Sequence, residues 1–325
     1  MTTKRRFLLA SGALLLSGPL AAQTQPGTKV HRIAYIGTNP PVADPFLKGL
    51  REAGYTEGRN LVIEARFAEG KRERFPELLA EAIRRKADVL VCISTTAVLA
   101  AKKITTTVPV VFASVFDPVG AGVVASLARP GGNITGASTG HGGSGLDGKW
   151  VELLKEAVPG LAQVAVLAYP AEPNNAQTVE DIRKAAKALN VKVDVFGATN
   201  PAELDKAFAA VGAARSQGLI MTRSLFFTAN RAKIVQFAAS RRLPAVYSFK
   251  DFVTAGGLMS YTASQDESYR NAAALVDRIL KGAKPADLPI LQPTRYELAI
   301  NLPVAKALGI KFPQSLLVRA DQIIE

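Results

Sequence analysis

From Val30 onward, short apolar runs alternate with segments whose apolar residues recur every three or four positions. HRIAYIG and ADVLVCI are nearly continuous apolar runs, which is typical of strands covered on both faces. DPFLKGLREAGY places Phe46, Leu47 and Leu50 on one face and predicts an amphipathic helix. Strands alternating with helices of about 10–15 residues are typical of parallel sheets joined by right-handed crossovers. The pattern therefore predicts an α/β protein.

The alternation restarts after a Gly-rich, weakly charged passage, GGNITGASTG. A second series of helices and strands follows, so the sequence predicts two consecutive Rossmann-like units of similar size. The Gly/Ser/Thr-rich segment 136–145 is predicted to be a first hinge between them. A long helix, QDESYRNAAALVDRILKG, and a further strand, RYELAINL, close the chain and can return to either unit.

The first 22 residues have the order of a secretory signal peptide. The basic cluster Lys4–Arg6 precedes an apolar run from Phe7 to Leu16, and Ala21 and Ala22 end the segment. The run is too short to span a membrane, so we expect cleavage near Ala22 and a periplasmic mature protein. The arginine pair leaves both general secretory and twin-arginine export open.

Composition excludes several classes of function. Two histidines and one cysteine in 325 residues predict neither a metal site nor a disulfide framework, and Cys92 in an apolar run predicts a buried thiol. Loss of the signal lowers the net charge from +13 to +10, because it removes three basic residues and no acid. Basic and acidic residues alternate in KRERFPELLAEAIRRK, which indicates a solvated helix face. We therefore predict no nucleic-acid partner.

The segment 120–125, GAGVVA, fits the G-x-G-x-x-A form of a dinucleotide-binding turn. Such a turn needs its first glycine directly after the strand and an acid at the end of the next strand. Here Asp117 and Pro118 intervene, and the strand near Asn133 ends in Gly-Ala-Ser with no acid. We therefore predict no nucleotide and no other cofactor.

Asp117 follows the apolar strand VPVVFASV and precedes VGAGVVASLA, for which the pattern predicts a helix. Its carboxylate has two interpretations that the sequence leaves open. It can cap the start of that helix, or it can project toward an amine of a ligand.

Polar and aromatic side chains follow several of the predicted parallel strands, whose carboxyl ends form the ligand crevice of open α/β sheets. We predict ligand-binding residues in both units: Thr38, Asn39, Ser94, Thr95, Thr96, Ser114, Phe116 and Asp117 in the first, and Asn174, Ser224, Phe226, Tyr247 and Asp251 in the second. The sequence shows no nucleophile–base–acid set, and we predict no catalytic residue. GHGG at 140–143 resembles an oxyanion loop, but no G-x-S-x-G motif follows it.

The mature sequence resembles the substrate-binding proteins of ABC importers, in the family that includes tryptophan-binding and related periplasmic proteins. The resemblance covers nearly its whole length and lies in FLKGLREAGYTEGRNLVIEARFAEG, VPVVFASVFDPVGAGVVASLARPGGNITG, GKWVELLKEAVPG, FVTAGGLMSY and ILKGAKPADLPILQPTRYELAINLPVAKALGI, among other stretches.

The resemblance implies a type I periplasmic-binding-protein fold, in which three hinge crossings join two lobes around a trapped ligand. It places 28–137 with about 257–285 in lobe 1, and 138–256 with about 286–325 in lobe 2. One departure concerns Arg223 and Ser224, which stand where many relatives have an acidic residue. An arginine in the cleft would favour a carboxylate-bearing ligand through a bidentate contact, although the side chain can also point to solvent.

The resemblance implies a monomeric periplasmic receptor that captures a small organic solute, such as an amino acid, an aromatic compound or another carboxylate. Hinge closure would trap the solute, and the receptor would deliver it to an ABC permease in the inner membrane. Two alternatives remain open at this point: an exported α/β hydrolase-like enzyme, and a ligand-sensing domain that partners a membrane receptor.

Overall fold

The computed structural model describes residues 29–40, 43–141 and 145–325. The predicted signal peptide and residues 142 and 143 of the GHGG segment lie outside these residues. Two lobes are present, and each contains a largely parallel sheet with helices packed on both faces. This architecture confirms the α/β fold predicted from the alternation of apolar patterns.

The N-lobe, built mainly from the first half of the chain, contains a five-stranded parallel sheet in the order β2-β1-β3-β4-β5. Its strands are β1 (His31–Gly37), β2 (Leu61–Phe67), β3 (Val89–Ile93), β4 (Val110–Val115) and β5 (Ile134–Ser138). The helices that follow the first three strands are α1 (Asp44–Glu52), α2 (Phe75–Arg84) and α3 (Thr95–Ile104).

The C-lobe contains a seven-stranded sheet in the order β12-β11-β10-β9-β8-β6-β7, in which only the β10–β11 pair is antiparallel. Its strands are β6 (Gln163–Ala168), β7 (Lys192–Gly197), β8 (Leu219–Met221), β9 (Ala245–Tyr247), β10 (Met259–Ala263), β11 (Tyr296–Asn301) and β12 (Gln322–Ile324). Its helices are α4 (Leu146–Ala157), α5 (Asn175–Ala188), α6 (Pro201–Ala213), α7 (Leu225–Ala229), α8 (Arg231–Ser240), α9 (Lys250–Thr254), α11 (Leu302–Leu308) and α12 (Gln314–Arg319). Within the described ranges, no helix combines the length and apolarity needed to cross a bilayer.

The long helix α10 (Gln265–Leu280) returns to the N-lobe and packs against α1 and β4. Its buried face, which includes Ala272, Leu275 and Val276, joins the same core as β1 and α1. The contact is close at Gly49, where an added Cβ would lie 2.8 Å from the Cβ of Ala273. This approach of the two helices requires a glycine at position 49.

The described chain passes between the lobes three times: between β5 and α4, between β10 and α10, and between Leu291 and β11. Leu291 still pairs with the N-lobe through the backbone of Gly136 and Ser138, and β11 then belongs to the C-lobe. Residues 257–263, which the resemblance placed in lobe 1, instead lie in the C-lobe. The reason is that β10 pairs with both β9 and β11, so the boundary moves to about residue 264.

One predicted helix is wrong. The segment after β4, VGAGVVASLA, forms consecutive turns rather than a helix. Gly122 has a φ of +70°, a left-handed conformation that a continuing right-handed helix cannot include. No helix dipole therefore acts on a ligand from this segment.

Candidate ligand-binding cleft

A cleft lies between the lobes, where the carboxyl ends of the two sheets face each other. Its central chamber contains about 600 Å³ of space between protein atoms, part of which is open to solvent. Residues that follow β3, β4, β5, β6, β8 and β9, with the first turns of α3 and α5, line this chamber: Ser94, Thr95, Ser114, Phe116, Thr139, Glu172, Asn174, Asn175, Thr178, Thr222, Arg223, Ser224, Leu225 and Phe249.

Two side chambers adjoin the central chamber. The Arg72 chamber is lined by Thr38, Arg72, Thr96, Tyr169, Thr199 and Phe226, among others. The Asn39 chamber is lined by Tyr35, Asn39, Thr228, Arg231, Asp251 and Tyr269, among others. Leu225 lines all three chambers and therefore stands at their junction.

The backbone is strained where the N-lobe strands reach the cleft. Ser94 has a φ of +142°, Ser114 a φ of +57° and Asp117 a φ of +42°, which non-glycine residues rarely adopt. The hydroxyl oxygen of Ser94 accepts a hydrogen bond from the amide of Ala97 and caps α3. Strained residues concentrate at functional sites. The first-turn amides of α3 lie beside the central chamber because Ser94 and Thr95 both line it.

Arg223 extends into the cleft from the loop after β8, held by contacts on several sides. Its Nη2 donates to Oδ1 of Asp147 at 2.6 Å and to the hydroxyl of Thr178 at 3.2 Å. Its guanidinium carbon lies 3.7 Å from the ring centroid of Phe116 and 4.9 Å from that of Trp150. Only 14% of the Arg223 side chain and 2% of the Asp147 side chain are exposed, so the pair is largely removed from water.

Several buried polar atoms of the cleft have no hydrogen-bond partner within the described chain. They are Nη1 of Arg223, Oγ1 of Thr222, Oδ1 of Asn175 and Oγ1 of Thr38. Buried polar groups are normally paired, and an unpaired one costs about 1–3 kcal/mol. Arg223, Thr222 and Asn175 line the central chamber, and Thr38 lines both side chambers, so a polar ligand in the cleft could satisfy these atoms.

The two lobes touch across the cleft through side-chain hydrogen bonds. Nη1 of Arg72, in the N-lobe, donates to the hydroxyl of Tyr169 at 2.9 Å and to the carbonyl of Ala171 at 3.3 Å. In the opposite direction, Nδ2 of Asn174 donates to the carbonyl of Phe116 at 2.7 Å. The cleft is therefore closed in this conformation.

Glu172 places a half-buried carboxylate in the central and Arg72 chambers. Burial raises the pKa of this carboxyl above its ordinary value, while the positive charges of Arg72 and Arg223 oppose the shift. When the pKa of an acid is higher in the folded than in the unfolded protein, the protein loses stability as the pH rises through the interval between these two pKa values. Glu172 is therefore a source of instability at neutral pH when the cleft holds no solute.

We expect Glu172→Gln to raise the melting temperature of the solute-free protein at pH 7.5, with a difference that shrinks as the pH falls toward 4.5. The amide removes the buried charge but keeps the shape of the side chain. Differential scanning calorimetry across this pH range measures the effect. Glu180→Gln, at an exposed position on α5, is the control and should show no comparable gain. A Glu172→Gln protein that melts below wild type at pH 7.5 would contradict this assignment.

The structure brings most of the predicted residues to the cleft. Ser94, Thr95, Ser114, Phe116, Asn174 and Ser224 line the central chamber, while Thr38, Thr96 and Phe226 line the Arg72 chamber. Asn39 and Asp251 line the Asn39 chamber. Their contact with a ligand stays a prediction.

Tyr247 does not lie in the cleft, which corrects the predicted position. It is 1% exposed, stacks on Phe252 with 5.0 Å between ring centroids, and belongs to the C-lobe core. Tyr247 is the last residue of β9, and its side chain packs into the core beside Phe252 of α9. Phe249, two residues further on, lines the cleft instead.

The structure also bears on the two interpretations of Asp117. Its Oδ1 accepts a hydrogen bond from the amide of Gly120 at 3.0 Å, and the residue lines none of the three chambers. The carboxylate packs so closely on Gly120 that an added Cβ there would lie 2.1 Å from Oδ2. This geometry favours the capping interpretation, for a turn rather than a helix.

We therefore expect Asp117→Ala to lower the free energy of unfolding by about 1 kcal/mol, the usual cost of losing a side-chain cap, while solute affinity stays within twofold. Asp117→Asn is the matched control, because asparagine keeps an acceptor oxygen and tolerates the left-handed backbone. Urea denaturation and calorimetric titration on the same samples separate the two quantities. A large loss of affinity at unchanged stability would instead place Asp117 among the ligand contacts.

Sequence reasoning did not select several residues that line the central chamber. Glu172 and Thr222 lie in the stretches YPAEPNN and TRSLFF, each of which directly follows an apolar strand pattern, and that position is the signal that could have found them. The sequence left the direction of Arg223 open. It points inward, where its position is fixed by contacts with Asp147 and Phe116 that are distant in sequence.

A two-lobed α/β protein with a polar cleft at the carboxyl ends of both sheets is built as a solute-binding protein. The family model described as ABC transporter substrate binding protein matches residues 41–324. The chain belongs to this family, and its fold is the type I periplasmic-binding-protein fold. Members of the family are binding proteins that act outside the cytoplasm, take up small-molecule solutes and work with ABC permeases.

Solved structures and a characterised relative agree with this assignment. A domain from Streptococcus pneumonia solved in complex with L-Trp is 26% identical, with a TM-score of 0.85 over 91% of this chain and 100% of that one. A conserved domain protein from Vibrio cholerae is 27% identical, with a TM-score of 0.84 over the same shares. A tyrosine-binding protein of Clostridioides difficile is 26% identical over 82% of this chain and 76% of its own length.

Proposed function

We propose that this protein is the periplasmic receptor of an ABC importer for a small organic solute: an amino acid, an aromatic compound or another carboxylate. The observation that carries the proposal is the set of buried polar atoms without a partner that belong to residues lining the central chamber: Thr222, Arg223 and Asn175. One relative was solved in complex with L-Trp and another is named a tyrosine-binding protein, which supports an aromatic solute. Phe116, Leu225 and Phe249 supply apolar walls for such a group.

Binding proceeds by hinge closure. A solute that contacts Ser94 and Ser114 of the N-lobe together with Thr222 and Arg223 of the C-lobe gains both sets of contacts only when the lobes are closed. The three chain crossings between the lobes absorb the motion. The receptor acts as a monomer, has no nucleic-acid partner, catalyses no reaction, and presents the closed form to the permease.

The test is mass spectrometry of the small molecules released by denaturing protein purified from the periplasm without refolding. The expected result is one solute of the proposed class at about one equivalent, and a mature chain that begins near residue 23. Full-length chain confined to the cytosol would contradict the proposed export. Reproducible absence of any bound solute, together with no binding by the solute-free protein across amino acids and aromatic acids, would contradict the proposed receptor function.

A further inference from the structure

The guanidinium of Arg223 has one nitrogen, Nη2, held by hydrogen bonds and another, Nη1, that is buried without a partner. Asp147 and Thr178 accept from Nη2, and Phe116 and Trp150 hold the guanidinium plane by ring contacts. Because Asp147, Thr178 and Trp150 belong to the same lobe as Arg223, these three contacts orient the guanidinium without requiring the lobes to close. The side chain does not need to reorganise in order to bind.

Nη1 is buried, has no partner among the described residues and belongs to a residue that lines the central chamber. Thr222, directly before it in the chain, is 2% exposed and lines the same chamber, and its hydroxyl is also buried without a partner. A guanidinium nitrogen only donates hydrogen bonds, and a hydroxyl can donate. A hydrogen-bond acceptor on the solute would satisfy both groups.

The charges around the chamber favour an anionic acceptor. Arg223 lines the central chamber, Arg72 lines the adjoining chamber, and both act on the carboxyl of Glu172, while the first-turn amides of α3 at Thr95 and Thr96 add the positive end of a helix. Asp147 is already engaged by Arg223 at 2.6 Å. Glu172 is the one carboxylate among the described residues that line the chamber, and burial disfavours its charged form. An ammonium group would meet two guanidinium groups with little uncompensated negative charge.

We propose that the cleft selects an organic acid without an α-ammonium group, whose carboxylate accepts hydrogen bonds from Nη1 of Arg223 and from the hydroxyl of Thr222. This inference rests on the proposed receptor function and narrows its solute class. Asp147 acts as a positioning residue, because with Thr178 it occupies Nη2 and leaves Nη1 without a partner. The contact is therefore to one carboxylate oxygen, and not the bidentate contact expected from the sequence.

The test uses pairs of compounds with the same carbon skeleton. Indole-3-propionate is compared with L-tryptophan, and 3-(4-hydroxyphenyl)propionate with L-tyrosine, by calorimetric titration of protein freed of bound solute by unfolding and refolding. The inference predicts that an acid binds at least tenfold more tightly than its amino-acid counterpart. Equal or tighter binding of the amino acids would overturn it and leave the receptor function intact. Binding of none of the four would count against the aromatic range of the proposed function as well as the inference.

The role of Arg223 is tested in a variant that keeps the site free of an unpaired buried charge. The double variant Arg223→Met with Asp147→Leu removes the ion pair and is expected to weaken binding of the preferred acid at least tenfold, with less than a threefold change for its amino-acid counterpart. Arg242→Met, which removes a surface arginine that donates to the carbonyl of Ala307, is the control. Wild-type affinity for the acid in the double variant would overturn the assignment.

Discussion

Asp147→Ala is expected to lower the free energy of unfolding of the solute-free protein by about 3 kcal/mol, because it leaves the Arg223 guanidinium without its counter-ion. The expected loss is at the lower end of the range for buried pairs. Arg223 retains the hydroxyl of Thr178 and the rings of Phe116 and Trp150, and its side chain keeps 14% exposure. Equilibrium denaturation in urea, followed by circular dichroism, measures the loss.

The double variant Asp147→Leu with Arg223→Met is the matched control for this prediction. Replacing both members of a buried ion pair by apolar residues of similar size is often close to neutral. We expect the double variant to be more stable than the single Asp147→Ala variant, although it removes more polar groups. A single variant as stable as wild type would show that Arg223 does not depend on Asp147.

Trp150→Ala is expected to cost about 3–5 kcal/mol, the range for truncating a large buried aromatic side chain. Trp150 is fully buried in the main C-lobe cluster, and its Nε1 donates to the carbonyl of Tyr261 at 2.8 Å. Its ring also contacts the guanidinium of Arg223, whose carbon lies 4.9 Å from the ring centroid. Solute affinity should therefore fall together with stability.

Trp150→Phe separates these contributions. Phenylalanine keeps most of the packing but cannot donate to Tyr261, which we expect to cost about 1–2 kcal/mol. Denaturation followed by circular dichroism is the appropriate measurement, since Trp150 is the only tryptophan of the chain and its replacement removes that fluorescence signal. A Trp150→Ala variant within 1 kcal/mol of wild type would show that this cluster does not depend on the ring.

The fold was predictable from sequence because each α/β element carries its own periodicity. The chain from β1 to β4 reads as alternating strands and helices, and the structure has that order. The predictions that failed concern features that depend on tertiary contacts. The segment after β4 has helical composition, but its two glycines and the Asp117–Gly120 contact give turns. Similarly, β10 joins the C-lobe because of pairing partners that local sequence does not reveal.

The cleft was predictable to the extent that it follows strand ends. Residues such as Ser94, Ser114 and Ser224 could be selected because parallel strands present their carboxyl ends on one side of a sheet. The position of a strand end does not predict the direction in which an individual side chain points. The side chain of Tyr247, at the end of its strand, packs into the core. Arg223 points into the cleft because it pairs with Asp147 and stacks on Phe116, which are distant in sequence.

The central claim, that solute binds between the lobes and stabilises their closed arrangement, is tested by the distance between spin labels on the two lobes. Cys92 is the only cysteine, it is buried, and burial raises its pKa to about 12, so introduced cysteines can be labelled selectively. Lys71→Cys and Gln177→Cys place labels at exposed positions of the N-lobe and the C-lobe. Double electron–electron resonance gives the distance between the two labels in solute-free protein and in protein saturated with the tightest binder of the four aromatic compounds. We predict a longer, broader distance distribution without the compound and a shorter, narrower one with it; the same distribution in both samples at saturation would contradict closure around the solute.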